Sequence, residues 1–318
     1  MIKPTMYYSQ IDGGHSVGQE LEYLLIKGDK PYDFIDMFVQ ELKLTLPGIN
    51  RRKNSPKVYV DAWNLELCSS PHTNISDLYE EMSELYEAMA SKAKNKGIKI
   101  IKNSSYNFKK LDKGNRFTGS HVHVGNPWLT RTKLLEALTP YLPIFVALAN
   151  NSSTKKYPKG SERLRNGPFG KMLSKNNHKQ AKAIFKHEVA PTIEIRCLDR
   201  SKTLEEDIAI AAFVYATAEK LKENFRFFSQ NIMHENFVKL YFIPKFADKD
   251  SLSGLSEILL QNAAKHGFDT KVNLIFTNYD VKKTLKDIAK QHYLEIQDKL
   301  HEIHTPKNLI KILEEKIQ

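Results

Sequence analysis

Three short stretches of the chain set ionisable side chains two residues apart, the spacing at which a β-strand presents both to one face, and a fourth sets a single glutamate there. Glu20 and Glu22 do so within 19–26, with Leu21, Tyr23 and Leu25 on the reverse, and Glu66 shares the face of Ala62 and Asn64 between Leu65 and Leu67. His121 and His123 share one face of Gly119-Ser120-His121-Val122-His123-Val124-Gly125, and Glu194 and Arg196 share one face of Thr192-Ile193-Glu194-Ile195-Arg196. One such pair is ordinary on the wet side of an antiparallel sheet. All four stretches on neighbouring strands would gather four carboxylates and two imidazoles on one surface. Carboxylates at that density repel one another and take up protons. Divalent cations are the usual remedy: carboxylate oxygens suit Mg²⁺ or Mn²⁺, and imidazole tilts the choice toward Mn²⁺. His-x-His alone says little; the ordered set is more specific.

Other chemistries find less support. The sequence has no P-loop, no paired-glycine dinucleotide fingerprint and no defensible Ser-His-Asp order. Cys68 and Cys197 are too few for a disulfide framework or a cysteine zinc site. A mean hydropathy of −0.47 and the lack of any apolar run near 18 residues argue against a transmembrane helix. The opening Met1-Ile2-Lys3-Pro4-Thr5 has no signal-peptide core, so a cytoplasmic setting without membrane contact is expected. The net charge of +11 is local: residues 101–150 carry 7 basic and 2 acidic side chains, and 151–200 carry 12 and 4. Such an excess attracts an anion, whether nucleic acid, phosphate or an acidic metabolite, or is simply a set of solvated lysines.

The elements that must position these residues follow from periodicity. Short β-branched, aromatic or alternating runs predict strands at 19–26, 57–68, 97–103, 120–126 and 192–198. Apolar residues at Phe34, Ile35, Phe38, Val39, Leu42 and Leu46 predict an amphipathic helix over 33–46. A second, over 76–94, follows from Leu78, Met82, Leu85, Tyr86 and Met89. Thr203-Leu204-Glu205-Glu206 is a capping-box start for a helix over 204–228, and 252–266, 281–300 and 307–317 make the last third helical. The expected class is α+β, parsed as a catalytic domain over 1–230 with a helical C-terminal extension over 231–318 packed on it.

The series Gly18-Gln19-Glu20-Leu21-Glu22, Leu65-Glu66-Leu67, 119–125 and 192–196, followed by Thr203-Leu204-Glu205-Glu206-Asp207, resembles the carboxylate–amine ligases of the glutamate–cysteine ligase type 2 family. That family lies in the glutamine synthetase-like superfamily. The motifs cover 18–215; beyond them only Glu235-Asn236 and a helical tail continue the likeness. The resemblance implies an antiparallel sheet curved into a funnel, helices outside it, and metal-bound ATP at one end of the cavity. It implies that Glu22 and Glu66 hold a cation near the amino-acid substrate, and that Glu20, His121 and Glu194 hold one bridging the nucleotide phosphates. His123 would support the site, and Arg196 would stand near the transferring phosphoryl group. Ser161 and Arg163 resemble a Ser-x-Arg element of the family, and with Arg165 and Lys171 they are candidate nucleotide contacts. The family's usual Ser-Pro-Phe is replaced by Asn150-Asn151-Ser152-Ser153, which leaves the substrate open.

The implied activity is consistent with the residues. A carboxylate is a poor acyl donor, so ATP first converts it to an acyl phosphate, with metals and an arginine neutralising charge, and an amine then displaces phosphate. Catalysis would therefore rest on Arg196, Glu22 and Glu66, with ATP and Mg²⁺ (or Mn²⁺) required. The partners would be a small carboxylate and an amine, with a macromolecular acceptor and a homo-oligomer both open. Two alternatives stand beside it: a metal-dependent hydrolase using the same carboxylate and histidine cluster, and a nucleic-acid-binding protein built on the basic 101–200 segment.

Overall fold

The structure is a computed structural model of the 318-residue chain. It describes residues 15–46, 48–49, 56–61, 63–101, 105–107, 115–125, 134, 138, 141–149, 184–186, 192–231 and 279–318. The long strand β1 (Ser16–Lys27) turns through Gly28, at φ 61°, into the two-residue β2 (Lys30–Pro31). Then come α1 (Ile35–Thr45), β3 (Lys57–Asp61), β4 (Asn64–Cys68), α2 (Ile75–Asn95) and β5 (Lys99–Ile101). Short strands β6 (Ser105–Asn107) and β7 (Asn115–Phe117) pair with each other and precede β8 (Gly119–Gly125). The remaining elements are α3 (Leu142–Ala149), β9 (Ile184–Lys186), β10 (Thr192–Asp199), α4 (Leu204–Asn231), α5 (Tyr279–Glu302) and α6 (Lys307–Ile317).

The main sheet runs β3-β4-β1-β8-β10-β9 with every pair antiparallel, so the class is α+β as expected. The four strands carrying these ionisable residues, β4, β1, β8 and β10, are consecutive neighbours in it. Their reverse face supplies the core: Val17, Leu21, Tyr23 and Leu25 of β1, Leu65 and Leu67 of β4, Val122 and Val124 of β8, and Ile193 and Ile195 of β10 are all buried. Helices α2 and α4 pack on β1, and α3 on β10. Asn74 caps α2 by accepting the Asp77 N–H at 2.8 Å, as asparagine does at helix starts. Helix α3 is apolar nearly throughout and lies between the sheet and α5, which suits an element with no wet face.

Helices α5 and α6 pack on α4, and the core cluster runs on through Ala289, Tyr293, Ile296, Leu309 and Leu313. No described helix is long and apolar enough to cross a membrane.

One expected element differs. The single strand predicted over 57–68 is a hairpin, β3 and β4, with Asp61 paired to Asn64 at its closed end. No glycine or proline marks that turn, so the apolar alternation runs through it without a break. The expected strand over 97–103 starts only at Lys99, in β5; its residues 102–103 and the expected helix over 252–266 lie outside the described residues.

Candidate active site

Register decides which side chains meet. Glu20 pairs with His121 and Glu22 with Glu66, while His123 pairs with Gly18 on one side and with Glu194 on the other. The structure thereby brings together all seven residues expected on this face: Glu20, Glu22, Glu66, His121, His123, Glu194 and Arg196.

The His121 imidazole sits among four carboxylates. Its Nδ1 lies 3.2 Å from Glu20 Oε2 and 3.6 Å from both Glu66 Oε1 and Glu194 Oε1, and its Nε2 lies 3.6 Å from Glu22 Oε1. His123 Nε2 is 3.2 Å from Glu20 Oε1, and Arg196 Nε is 3.2 Å from Glu194 Oε1. Glu22 Oε2 accepts the Gly119 N–H at 2.6 Å.

The site has a closed end and an open one. Side chains of Glu22, Glu66, His121 and Glu194 are 1–5% exposed, against 12–21% for His123, Arg196 and Glu20. Beyond Glu22 the same face of β1 turns apolar, with Leu24 and Ile26 packed against Ile101 of β5. That small cluster closes the Glu22 end.

Electrostatics divide the carboxylates. Burial raises the Glu66 carboxyl, the charges of Glu20 and Glu22 raise it further, and it lies well above the ordinary range. Burial acts on Glu20 in the same sense, but the charge of His123 and the hydrogen bonds and charge of the two imidazoles overcome it and hold Glu20 well below that range. His123 is pushed up to about 9, because Glu20 and Glu194 outweigh the effect of burial. Glu66 Oε1 is buried and accepts no hydrogen bond.

Two sets of potential metal-ligand atoms lie within 4.8 Å of one another among the described residues: Glu20, Glu66 and His121, and Glu20, His123 and Glu194. The second set contains His123 where the family resemblance implies His121. Glu20 belongs to both.

Two features escaped the sequence reading. Tyr59 pairs with Glu66 across the β3–β4 hairpin; partial burial, reinforced by Cys68, Glu20 and Glu66, holds the phenol well above its ordinary range. Reading 57–68 as a hairpin would have put Tyr59 opposite Glu66. The second is a register shift between Ile195 and Leu198 in β10, which inserts Arg196 and Cys197 as a bulge where β8 carries His121. No residue type announces that bulge. Ser161, Arg163, Arg165 and Lys171 lie outside the described residues.

No protein-family model matches the chain, and no curated protein does. Among solved structures, the crystal structure of the complex between the prokaryotic ubiquitin-like protein Pup and its ligase PafA is similar over 95% of this chain and 63% of that one, at 12% identity and a TM-score of 0.46. The chain thus spans less than two thirds of that neighbour's length, and likeness at this level assigns neither family nor activity.

Proposed function

We propose that the chain is an ATP- and divalent-metal-dependent ligase of the glutamine synthetase-like superfamily, joining a glutamate-like carboxylate to an amine on a funnel-shaped sheet. One observation carries the reading: the convergence of Glu20, Glu22, Glu66, Glu194, His121, His123 and Arg196 on one face of four adjacent strands. The ordered motifs that resemble the type 2 glutamate–cysteine ligases support it.

The donor set fits a divalent cation. Four carboxylates around one imidazole form an oxygen-rich nest, and the buried Glu66 Oε1 accepts no hydrogen bond, as a ligand atom awaiting a cation would. Glu22 and Glu66 would hold a cation at the closed end, and Glu20, Glu194 and an imidazole one toward the open end, each supplying charge neutralisation at the phosphates. The Gly119 N–H holds one oxygen of Glu22 in place, and Tyr59 stands across the hairpin from Glu66, an outer layer of the kind that orients metal ligands. Arg196, braced against Glu194 at the open end, offers its planar fork to the phosphoryl group in transit. The donor carboxylate takes the γ-phosphoryl group of ATP as ADP leaves. The amine then attacks the activated carbonyl and expels phosphate, so no protein nucleophile is required.

The test is a panel of amino acids and amines incubated with the chain, ATP and Mg²⁺ while ADP and phosphate are followed. The ligase reading requires ADP release that depends on a carboxylate donor and is accelerated by an amine. Turnover of a substrate without ATP would instead assign the cluster to hydrolysis.

A further inference from the structure

On the core side of β1, behind the carboxylates, one charged pair is sealed from solvent. Arg200, the residue after β10, is 1% exposed, and Asp207 in the first turn of α4 is wholly buried. Arg200 Nη1 donates to Asp207 Oδ2, and Asp207 Oδ1 accepts the Ser201 N–H at 2.9 Å. The guanidinium carbon stands 4.5 Å from the centre of the Tyr23 ring. Arg200 therefore ties the end of β10 to both α4 and β1.

Stability alone is a poor reason for such a pair, because well-packed apolar residues usually stabilise a core as much or more. Its connections point elsewhere. Asp199, adjacent to Arg200, pairs with Gly119, whose N–H is the donor to Glu22 Oε2. Tyr23, on which the guanidinium rests, is the residue after Glu22. Two routes thus run from the pair to one carboxylate, one through Asp199 and Gly119 to a Glu22 oxygen, the other through Tyr23 to the Glu22 backbone. The charge of Glu22 also reaches the guanidinium, partly opposing the effect of burial on it.

We infer that Arg200 and Asp207 are positioning residues that fix the Glu22 carboxylate for its cation; the inference rests on the divalent-cation reading above. The pair is neutral as a unit, so it steadies Glu22 without repelling a metal. Loss of Asp207 alone removes the clamp and takes one counter-charge from the guanidinium behind the ligand. Both effects weaken cation binding.

The test is Mn²⁺ binding to the full chain, read from the electron paramagnetic resonance of free Mn²⁺, with melting temperatures recorded in parallel. Asp207→Asn is expected to raise the Mn²⁺ Kd about tenfold or more, the range typical of residues that support a metal ligand. Arg200→Met combined with Asp207→Leu removes both charges and is expected to melt at or above the wild-type temperature while still binding Mn²⁺ about tenfold more weakly. A folded double variant with wild-type Mn²⁺ affinity overturns the inference. If the double variant does not fold, Arg200→Lys takes its place: it keeps the charge but loses the planar fork, and wild-type affinity there overturns the inference equally. Glu22→Gln separates the two levels of the argument. If wild type binds no Mn²⁺, or Glu22→Gln binds it as wild type does, the cation reading itself fails and this inference with it.

Discussion

The two faces of the same four strands are built to opposite rules. On the helix side, Leu21, Leu65, Leu67, Val122, Val124, Ile193 and Ile195 are buried and apolar, so the sheet and helices hold together by removing hydrocarbon from water. On the other side, four carboxylates, two imidazoles and an arginine crowd together with most of their side chains also buried. The first face stabilises the fold with no further partner. The second costs stability, since its like charges repel, and on the proposed reading a divalent counter-ion offsets that cost. If the second face serves the proposed chemistry, the two faces should fail differently when altered.

The largest effect should come from the polar face. Glu22→Gln or Glu66→Gln preserves shape while removing one charge and one strong metal ligand, so turnover is expected to fall by orders of magnitude. The melting temperature without metal should hold or rise, since like-charge repulsion is relieved. Near-wild-type turnover at saturating Mg²⁺ would remove the cluster from the active site.

Arg196→Lys sharpens the assignment within that face. An ammonium cannot reproduce a two-pronged contact, so kcat should drop roughly a hundredfold or more while KM for ATP changes little. An unchanged kcat would move the phosphoryl contact to another element.

The core face should show the reverse pattern. Leu21→Ala is expected to destabilise the fold by about 2–5 kcal/mol in chemical denaturation, with activity per folded molecule retained. Loss of activity without loss of stability would break the division between the faces.

The smallest effect is electrostatic. His123 has a folded pKa of about 9 against about 6.5 in an unfolded chain, so the stability it contributes is full below about pH 6.5 and is lost as pH rises through about 9. Glu66 is also raised, so it too makes the folded state lose stability as pH rises above the ordinary carboxylate range. The metal-free chain should therefore melt lower at pH 8.5 than at pH 6.5, and Mg²⁺ or Mn²⁺ should raise the melting temperature more at the higher pH. Thermal scans at both values, with and without metal, check this; a metal shift independent of pH would contradict it.

The polar face was legible in the sequence because its grammar is local. Glu20 and Glu22, His121 and His123, and Glu194 and Arg196 are each two apart, and period two is a property of any strand. What was not legible depends on contacts between distant residues. Tyr59 meets Glu66 because 57–68 folds back on itself at a turn without glycine or proline. The set Glu20, His123 and Glu194 depends on the register of β8 with β1 and β10, which no residue type signals. Arg200 and Asp207 are joined across a strand-to-helix junction, a spacing with no pattern to read.

The central claim is that this face serves phosphoryl activation of a carboxylate, and isotope transfer tests it most directly. With ¹⁸O in the donor carboxylate, substrate turnover should deliver one labelled oxygen into the released phosphate, with ADP as the nucleotide product. Label retained wholly in the amide and the unreacted acid, or release of AMP in place of ADP, would contradict the account.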